Sequence, residues 1–313
     1  MKYAYGVDVG GTSIKIGFFT EDGKLELSWE VPTRIDNGGE SIVSDIMTSI
    51  ENHLSKEKRA KEDIVGIGVG LPGPIENKAI VNGCVNLGWG RKNIKKEMEE
   101  LSTFKVYVEN DANIAALGEV WQGGGKGYEN SIMVTLGTGV GGGIIIDGKI
   151  YGGYAGAAGE IGHITVNDKE TEVCGCGKKG CLEQYVSANG ILRMTKKYLK
   201  EHSEVKTKLL QEEELSTKTI FDEAKAGDKV ALLQIEEAGK RIGKALATIT
   251  CVLNPEVIII GGGVSKAGQV LTDVIKKYYK HYAFHASKDI PICLALLDNK
   301  AGMYGAAKLV FDA

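Results

Sequence analysis

The sequence has no long hydrophobic run and no excess of basic residues, and each absence excludes a class of protein. None of its apolar segments approaches the roughly 20 residues that a helix needs to cross a bilayer. The net charge is -3, and no strongly basic stretch is flanked by aromatic residues, which argues against nucleic-acid binding. The first residues lack the regions of a signal peptide, so we expect a cytoplasmic protein that binds neither membrane nor nucleic acid.

Proline and aromatic residues are scarce, whereas glycine is abundant. The chain has 5 Pro, 7% aromatic residues and 43 Gly among 313 residues. The hydrophobic share of 43% and the charged share of 25% are typical of globular proteins. The glycines follow apolar runs and do not form a low-complexity tract. They therefore indicate backbone positions that need a positive φ or that approach a ligand closely.

Strand-like and helix-like segments alternate along the chain, which predicts an α/β fold. The chain begins with a strand, a glycine turn at residues 10–11, a second strand and an Asp-Gly turn at 22–23. The same series recurs from residue 131, with glycine turns at 137–139 and 147–148. We interpret the recurrence as a duplicated supersecondary unit, although strand–turn–strand units are common enough to recur by chance. The length is comfortable for two domains.

Glycine-rich turns at three places are candidate nucleotide-binding segments. In a tight glycine turn, successive backbone N–H groups can point at an anion. In the first turn, an aspartate can also bind Mg²⁺ directly or through water, because Mg²⁺ prefers hard oxygen ligands. Plain hairpin and strand-to-helix turns are the alternatives. The candidate residues are Asp8, Gly10, Gly11, Thr12, Ser13 and Lys15 in the first turn, Gly137, Thr138 and Gly139 in the second, and Gly262 and Gly263 in the third.

Asp111 lies where a predicted strand ends and a predicted helix begins. Phosphoryl transfer depends mainly on positioning and charge neutralisation, with one carboxylate accepting the proton of the attacking hydroxyl. Asp111 is the candidate for this base. The neighbouring Asn110 can donate and accept hydrogen bonds at once, which suits a sugar hydroxyl. The alternative for Asp111 is a helix N-cap.

A cluster of cysteines with one histidine has the composition of a metal site. The cysteine spacing is C-x-C-x₄-C, and the histidine lies eleven residues upstream. Three thiolates and one imidazole form a closed tetrahedral set of the kind that holds structural zinc. A redox or disulfide cluster is the alternative. Glu160 and Glu183 flank the cluster and are either surface acids or acceptors for sugar hydroxyls. The candidate ligands are His163, Cys174, Cys176 and Cys181.

Together these motifs resemble the ROK family, named for its repressors, uncharacterised frames and sugar kinases. The resemblance spans essentially the whole chain and is carried by residues 8–15, the Asn110-Asp111 pair, residues 136–163 and residues 174–183. It implies a two-lobed actin/hexokinase-like, or ribonuclease H-like, fold with a cleft between the lobes. It also implies a homodimer or homotetramer.

The resemblance further implies how the chain divides. The smaller lobe is expected to comprise residues 1–118 and 301–313, with the first phosphate loop and Asp111. The larger lobe is expected to comprise residues 119–300, with the second glycine loop, the zinc site and the subunit interface.

The same resemblance implies an ATP-dependent hexose kinase that uses Mg²⁺ and structural Zn²⁺, with Asp111 as the base. It implies that His163 binds zinc through one ring nitrogen and faces the sugar with the other. Lys178 and Lys179 depart from the polar variety usual in the zinc loop, without consequence for the ligands. The residues that it implies for sugar binding are Asn110, Glu160, His163, Glu183, Asn86 and Gly73.

Within the family, residues 85–89, 109–119 and 136–143 are most similar to glucokinases of Gram-positive type, so D-glucose is the expected substrate. Fructose, allose, mannose, N-acetylmannosamine and N-acetylglucosamine remain alternatives, because the sequence does not show which hydroxyls are paired. A sugar-responsive repressor is less favoured, because only two residues precede the first predicted strand. A zinc-stabilised binding protein without catalysis would leave the glycine turns and Asp111 without a common purpose.

Overall fold

The computed structural model describes residues 1–57 and 59–313, and for Val85 it describes the backbone alone. Strands and helices alternate as predicted. The strands are β1 (Tyr3–Val9), β2 (Ser13–Thr20), β3 (Leu25–Pro32), β4 (Ile64–Leu71), β5 (Ile75–Glu76), β6 (Ile80–Cys84), β7 (Trp89–Asn93), β8 (Val106–Asn110), β9 (Ser131–Leu136), β10 (Val140–Ile146), β11 (Lys149–Ile150), β12 (Val257–Gly261) and β13 (Ile292–Leu294). The helices are α1 (Asp36–Gly39), α2 (Ile42–Leu54), α3 (Ile94–Glu100), α4 (Asp111–Gln122), α5 (Glu183–Val186), α6 (Ala188–Glu201), α7 (Thr217–Lys225), α8 (Lys229–Leu253), α9 (Gln269–Tyr282) and α10 (Ala301–Phe311).

Two five-stranded sheets share one strand order. The first runs β3-β2-β1-β4-β8 and the second β11-β10-β9-β12-β13, so each has its third, second, first, fourth and fifth strands side by side. In the first sheet β1 is antiparallel to β2 and parallel to β4, and β4 is parallel to β8. In the second, β9 is parallel to β12 and β12 to β13, while β10 and β11 are antiparallel. This correspondence agrees with a duplicated unit.

The chain divides into two compact units, here called unit 1 and unit 2. Unit 1 comprises residues 1–129, 143–159 and 296–313, and unit 2 comprises residues 130–142 and 160–295. Each has its own hydrophobic core of buried strand and helix residues. The lobe boundaries expected from the sequence remain a prediction.

The longest helix, α8, illustrates how the sequence sets its bounds. Asp228 caps its start by accepting hydrogen bonds from the N–H groups of Val230 and Ala231. Its end is Asn254 in the left-handed conformation, at φ 42°, just before Pro255. Both ends of α8 are therefore set by residues that can be read from the sequence.

The charged residues 197–218 complete α6, continue through a loop with a short 3₁₀ turn at Lys208–Leu210, and begin α7. The small antiparallel sheet β5-β6-β7 had no recognisable sequence pattern. Among the described residues, no helix is both long enough and apolar enough to cross a bilayer.

Candidate active site

The first glycine turn joins β1 to β2 in unit 1. Its N–H group at Gly10 donates to the carbonyl of Ser13 at 3.0 Å, which closes the turn. Gly11 and Thr12 at its tip are exposed. The antiparallel register places Asp8 opposite Lys15. The turn thus brings together the predicted first nucleotide-binding residues and keeps its tip accessible.

Asp8 ends up half-buried against the start of α10. A Cβ atom added at Gly302, the second residue of that helix, would lie 2.5 Å from Cγ of Asp8, so only glycine leaves room for the carboxyl group. The pKa of Asp8 is raised to about 6. Burial is the main cause, the positive charge of Lys15 opposes it, and the negative charge of Asp111 adds to it. The two carboxyl groups therefore sense each other's charge, and a cation would relieve their repulsion.

Asp111 is the first residue of α4, and its N-cap is Asn110. The side-chain oxygen of Asn110 accepts from the N–H groups of Ala112 and Asn113, at 2.9 and 3.2 Å. Oδ1 of Asp111 accepts from the N–H of Ala112 at 2.8 Å. From the sequence, a helix N-cap was the alternative role for Asp111. In the structure the N-cap of α4 is Asn110.

The side-chain amide of Asn110 is fully engaged. Its Nδ2 donates to the carbonyl of Gly73 at 3.2 Å and to Oδ1 of Asp111 at 3.0 Å, while its oxygen caps α4. A sugar hydroxyl would have to exchange with one of these partners, so sugar binding by Asn110 stays a prediction. Gly73, with φ 104°, is brought to Asn110. Asn86 is exposed and lies beside Gly11. A Cβ atom added at Gly11 would be 3.9 Å from Cβ of Asn86.

Glu109 supports this turn from beneath and was missed by sequence reasoning. Its side chain is buried, and its Oε1 accepts from the N–H of Asn110 at 2.9 Å and from Nδ2 of Asn113 at 3.0 Å. Acidic side chains are rarely buried unless they are paired. The acid at the end of the apolar strand β8 was therefore the sequence signal that could have identified Glu109.

The second and third glycine turns lie side by side in unit 2. The second closes on itself through the N–H of Gly137 and the carbonyl of Gly139, at 2.9 Å, and leaves Thr138 exposed. Gly262, at φ 83°, packs against it so closely that an added Cβ would lie 2.5 Å from the carbonyl oxygen of Leu136. Gly263 is exposed beside it. The fold thus brings together two turns that are far apart in sequence.

The predicted metal cluster is assembled within unit 2. The ligand atoms of His163, Cys174, Cys176 and Cys181 all lie within 4.8 Å of one another. Sγ of Cys176 lies 3.6 Å from Sγ of Cys181, and Sγ of Cys174 lies 3.8 Å from Nδ1 of His163. Ligands about 2.0–2.3 Å from a zinc ion at tetrahedral corners are roughly 3.5–3.8 Å apart. The donor set therefore fits zinc in chemistry, and these two distances match the spacing of its ligands.

The thiols are free and not joined as disulfides. Burial, followed by the neighbouring thiols, raises the pKa of Cys181 to about 12. Thiolates packed this closely need a cation to remain ionised. Contrary to the expectation that Lys178 has no consequence for the ligands, it donates to the carbonyl of His163 at 2.9 Å and so holds the backbone of this candidate ligand.

Both flanking glutamates are connected to the cluster. Oε2 of Glu160 lies 3.9 Å from Nε2 of His163, the ring nitrogen that faces away from Cys174. Oε1 of Glu183 lies 3.8 Å from Sγ of Cys174, and its Oε2 accepts from the N–H of Val140 at 2.9 Å. Glu183 therefore joins the cluster to the second glycine turn, a connection that sequence reasoning did not anticipate.

The known proteins that this chain resembles match it over nearly its full length. Residues 4–313 match the ROK family. The chain is 43% identical over 313 residues to a glucokinase of Halalkalibacterium halodurans, covering 99% of this chain and 95% of that protein. It is 34% identical over 315 residues to a glucokinase of Thermotoga maritima, covering 97% and 96%. It also resembles the solved structure of a ROK family glucokinase from Streptomyces griseus in complex with glucose and AMPPNP, with a TM-score of 0.79, 33% identity and coverage of 99% and 100%. The similarity thus extends over the whole fold and not over one motif.

Proposed function

This chain belongs to the ROK family, and we propose that it is a glucokinase that transfers the γ-phosphoryl group of ATP to D-glucose and yields glucose 6-phosphate. The fold is actin/hexokinase-like, as the resemblance implied. The similarity to the Halalkalibacterium halodurans glucokinase supports the substrate. The glucose and AMPPNP bound to the Streptomyces griseus enzyme support a sugar and an ATP-like nucleotide as ligands.

The structural observation that carries the proposal is the placement of Asp111 at the start of α4. In the reaction the sugar hydroxyl oxygen bonds to the γ-phosphorus, the bond from that phosphorus to the β–γ bridging oxygen breaks, and ADP leaves with the electron pair. Asp111 accepts the hydroxyl proton. Hydrogen bonds from the Asn110 amide and from the N–H of Ala112 hold its Oδ1 in one orientation.

We assign the sugar contacts by the family resemblance. Glu160 is suited to accept from hydroxyls because it is half exposed, at 51%. The carboxylate of Glu183 accepts a hydrogen bond from the N–H of Val140, so it would exchange this donor for a sugar hydroxyl when a sugar binds. The proposed sugar-binding residues are Asn110, Asn86 and Gly73 in unit 1 and Glu160, His163 and Glu183 in unit 2.

The glycine turns are the proposed nucleotide-binding segments. Exposed backbone N–H groups and hydroxyls suit phosphate oxygens, and Lys15 adds positive charge. Mg²⁺ would neutralise charge on the transferring phosphoryl group, and Asp8 is its proposed ligand, directly or through water. The proposed residues are Asp8, Gly10, Gly11, Thr12, Ser13 and Lys15 in unit 1 and Gly137, Thr138, Gly139, Gly262 and Gly263 in unit 2.

Structural zinc is the proposed occupant of the Cys/His cluster. His163, Cys174, Cys176 and Cys181 would hold it, and the closed donor set leaves no position for a substrate. Its proposed role is to fix His163, whose Nε2 lies beside Glu160.

Family membership also supports a cytoplasmic homodimer or homotetramer whose interface lies on residues 119–300. Light scattering of the purified protein over a range of concentrations tests the assembly. A monomer at every concentration would contradict this part of the proposal.

A coupled assay with a sugar panel tests the function. The purified protein receives ATP and Mg²⁺ with glucose, mannose, fructose, allose, N-acetylmannosamine or N-acetylglucosamine, and kcat/KM is compared. We expect the highest kcat/KM with glucose. A higher value with another sugar would correct the substrate, and turnover of none of them would overturn the kinase assignment.

A further inference from the structure

Thr33, just after β3, binds the first glycine turn through both its side chain and its backbone. Its Oγ1 donates to the carbonyl of Gly10 at 2.7 Å. Its N–H donates to the carbonyl of Thr12 at 3.0 Å. The carbonyl of Ser13, at the end of the turn, accepts from the N–H of Gly10. The carbonyls of Gly10, Thr12 and Ser13 are therefore all engaged by protein donors.

These bonds fix the direction of the neighbouring N–H groups. In a planar trans peptide, the carbonyl of one residue and the N–H of the next point in opposite directions. Because Thr33 holds the carbonyl of Gly10, the N–H of Gly11 points away from Thr33. Because Thr33 also holds the carbonyl of Thr12, the N–H of Ser13 points away from Thr33 as well. Within the described part of the chain, nothing accepts a hydrogen bond from the N–H of Gly11 or Thr12. Both residues are exposed.

A glycine pair needs such a restraint more than other sequences do. Gly10 and Gly11 lack Cβ atoms, so the peptide between them can rotate at little steric cost. Rotation would replace an N–H donor at the tip of the turn with a carbonyl oxygen, which repels a phosphate. A hydroxyl bonded to the carbonyl of Gly10 opposes this rotation directly.

We propose that Thr33 is a positioning residue for nucleotide binding, because it holds the first glycine turn with its N–H groups directed toward the phosphates of ATP. This inference rests on the proposed function of the turn. Thr33 itself contacts no reacting atom; it acts through the peptide planes of residues 10–11 and 12–13. Nothing in the sequence marks it, since it lies 23 residues from Gly10.

Three variants of the full-length protein test the proposal. Thr33→Val keeps the shape and the backbone N–H but removes the hydroxyl donor. Thr33→Ser keeps the donor. Thr20→Val is the control, since the hydroxyl of Thr20 also holds a turn, at the other end of β2: it donates to Oδ1 of Asp22 and accepts from the N–H of Lys24 at 3.1 Å. The measurements are KM for ATP, KM for glucose, kcat, and the Kd for ADP by calorimetry, with thermal stability recorded for each variant.

The loss of one net hydrogen bond predicts that Thr33→Val raises KM for ATP and Kd for ADP about threefold to tenfold. KM for glucose should change by less than about twofold, because the peptide planes concerned face the nucleotide. Thr33→Ser should restore nucleotide affinity, and Thr20→Val should leave it unchanged.

Several outcomes would overturn the proposal. These are an unchanged KM for ATP in Thr33→Val, an equal rise in both KM values, or a Thr33→Ser protein as impaired as Thr33→Val. If Thr33→Val does not fold, Thr33→Ala carries the same comparison. Failure of the proposed function is distinguishable, since a wild-type protein without sugar kinase activity still reports on the turn through ADP binding.

Discussion

Asn110 holds Asp111 through a side-chain hydrogen bond, from Nδ2 to Oδ1 at 3.0 Å, while its own oxygen caps α4. One amide therefore both starts the helix and orients the proposed base. The buried Glu109 fixes the same turn from beneath by accepting from the N–H of Asn110 at 2.9 Å. Asp111 is thus held by local contacts that exist before any substrate binds, which is the preorganisation that a positioned base requires.

Removing the carboxylate should abolish most turnover. Asp111→Asn keeps the size of the side chain but cannot accept the hydroxyl proton at neutral pH, so we expect kcat to fall by about 10²–10⁴. The Kd for glucose should stay within about twofold of wild type, because the loss concerns the transition state. Asp36→Asn, at an exposed aspartate outside the site, is the control. Near-normal kcat in Asp111→Asn would remove this residue from the mechanism.

Asn110 variants should separate capping from orientation. Asn110→Ser retains an oxygen for the cap but loses the donor to Asp111, so we expect near-native stability with kcat lowered by about tenfold. Asn110→Ala should also lose about 1 kcal/mol of unfolding free energy. Asn93→Ala removes the cap of α3, where Oδ1 accepts from Lys96 N–H at 3.0 Å, and should reduce stability with unchanged kcat. Equal kcat in Asn110→Ser and wild type would refute the orienting role.

The residues that sequence reasoning located share one property, which is that their signal is local. The glycine turns, the Asn110-Asp111 pair and the cysteine spacing are each readable within a few residues, and the α/β alternation follows from periodicity. Gly302 and Thr33 were missed because their partners, Asp8 and Gly10, are distant in sequence and meet them only through the fold. Long-range contacts of this kind depend on topology, which one sequence does not reveal.

Gly302 should be intolerant of a side chain. Gly302→Ala would place Cβ 2.5 Å from Cγ of Asp8, so the carboxyl group must move. We expect a loss of about 1–3 kcal/mol in unfolding free energy and a fall of about tenfold in kcat/KM for ATP. Gly152→Ala is the control, because its added Cβ meets nothing within 4 Å. A Gly302→Ala protein with native stability and native kinetics would contradict the close packing.

Metal removal should weaken unit 2. We expect about one zinc ion per purified chain by elemental analysis, and chelation or Cys176→Ser should lower Tm by roughly 5 °C or more. KM for glucose should rise with it, since His163 belongs to the cluster and its Nε2 lies 3.9 Å from Oε2 of Glu160. Cys251→Ser, at an exposed cysteine outside the cluster, should change neither quantity. Full stability and activity in a protein shown to be free of zinc would refute the structural role.

Glu170 connects the segment that carries the Cys/His cluster to α6 through a partly buried ion pair. Its Oε2 accepts from Nη2 of Arg193 at 2.9 Å and from the hydroxyl of Tyr185 at 2.5 Å. Burial alone would raise the pKa of Glu170, but the hydrogen bonds from Arg193 and Tyr185 outweigh it and lower the pKa from 4.5 to about 2. Its side chain is 8% exposed, so solvent screens the interaction little.

This shift predicts a specific acid dependence. A carboxyl group whose pKa is lower in the folded state stabilises the protein above its unfolded pKa of 4.5, and that stability is lost as pH falls toward about 2. Glu170→Gln should therefore lower the unfolding free energy at neutral pH, by at most roughly 3 kcal/mol, and the difference from wild type should shrink below about pH 4.5. Glu172→Gln, which pairs with the same Arg193 at 2.8 Å but is 58% exposed, should have little effect. A difference between Glu170→Gln and wild type that stays constant from pH 7 to pH 3 in denaturant titrations would show that packing, and not the carboxylate charge, stabilises this contact.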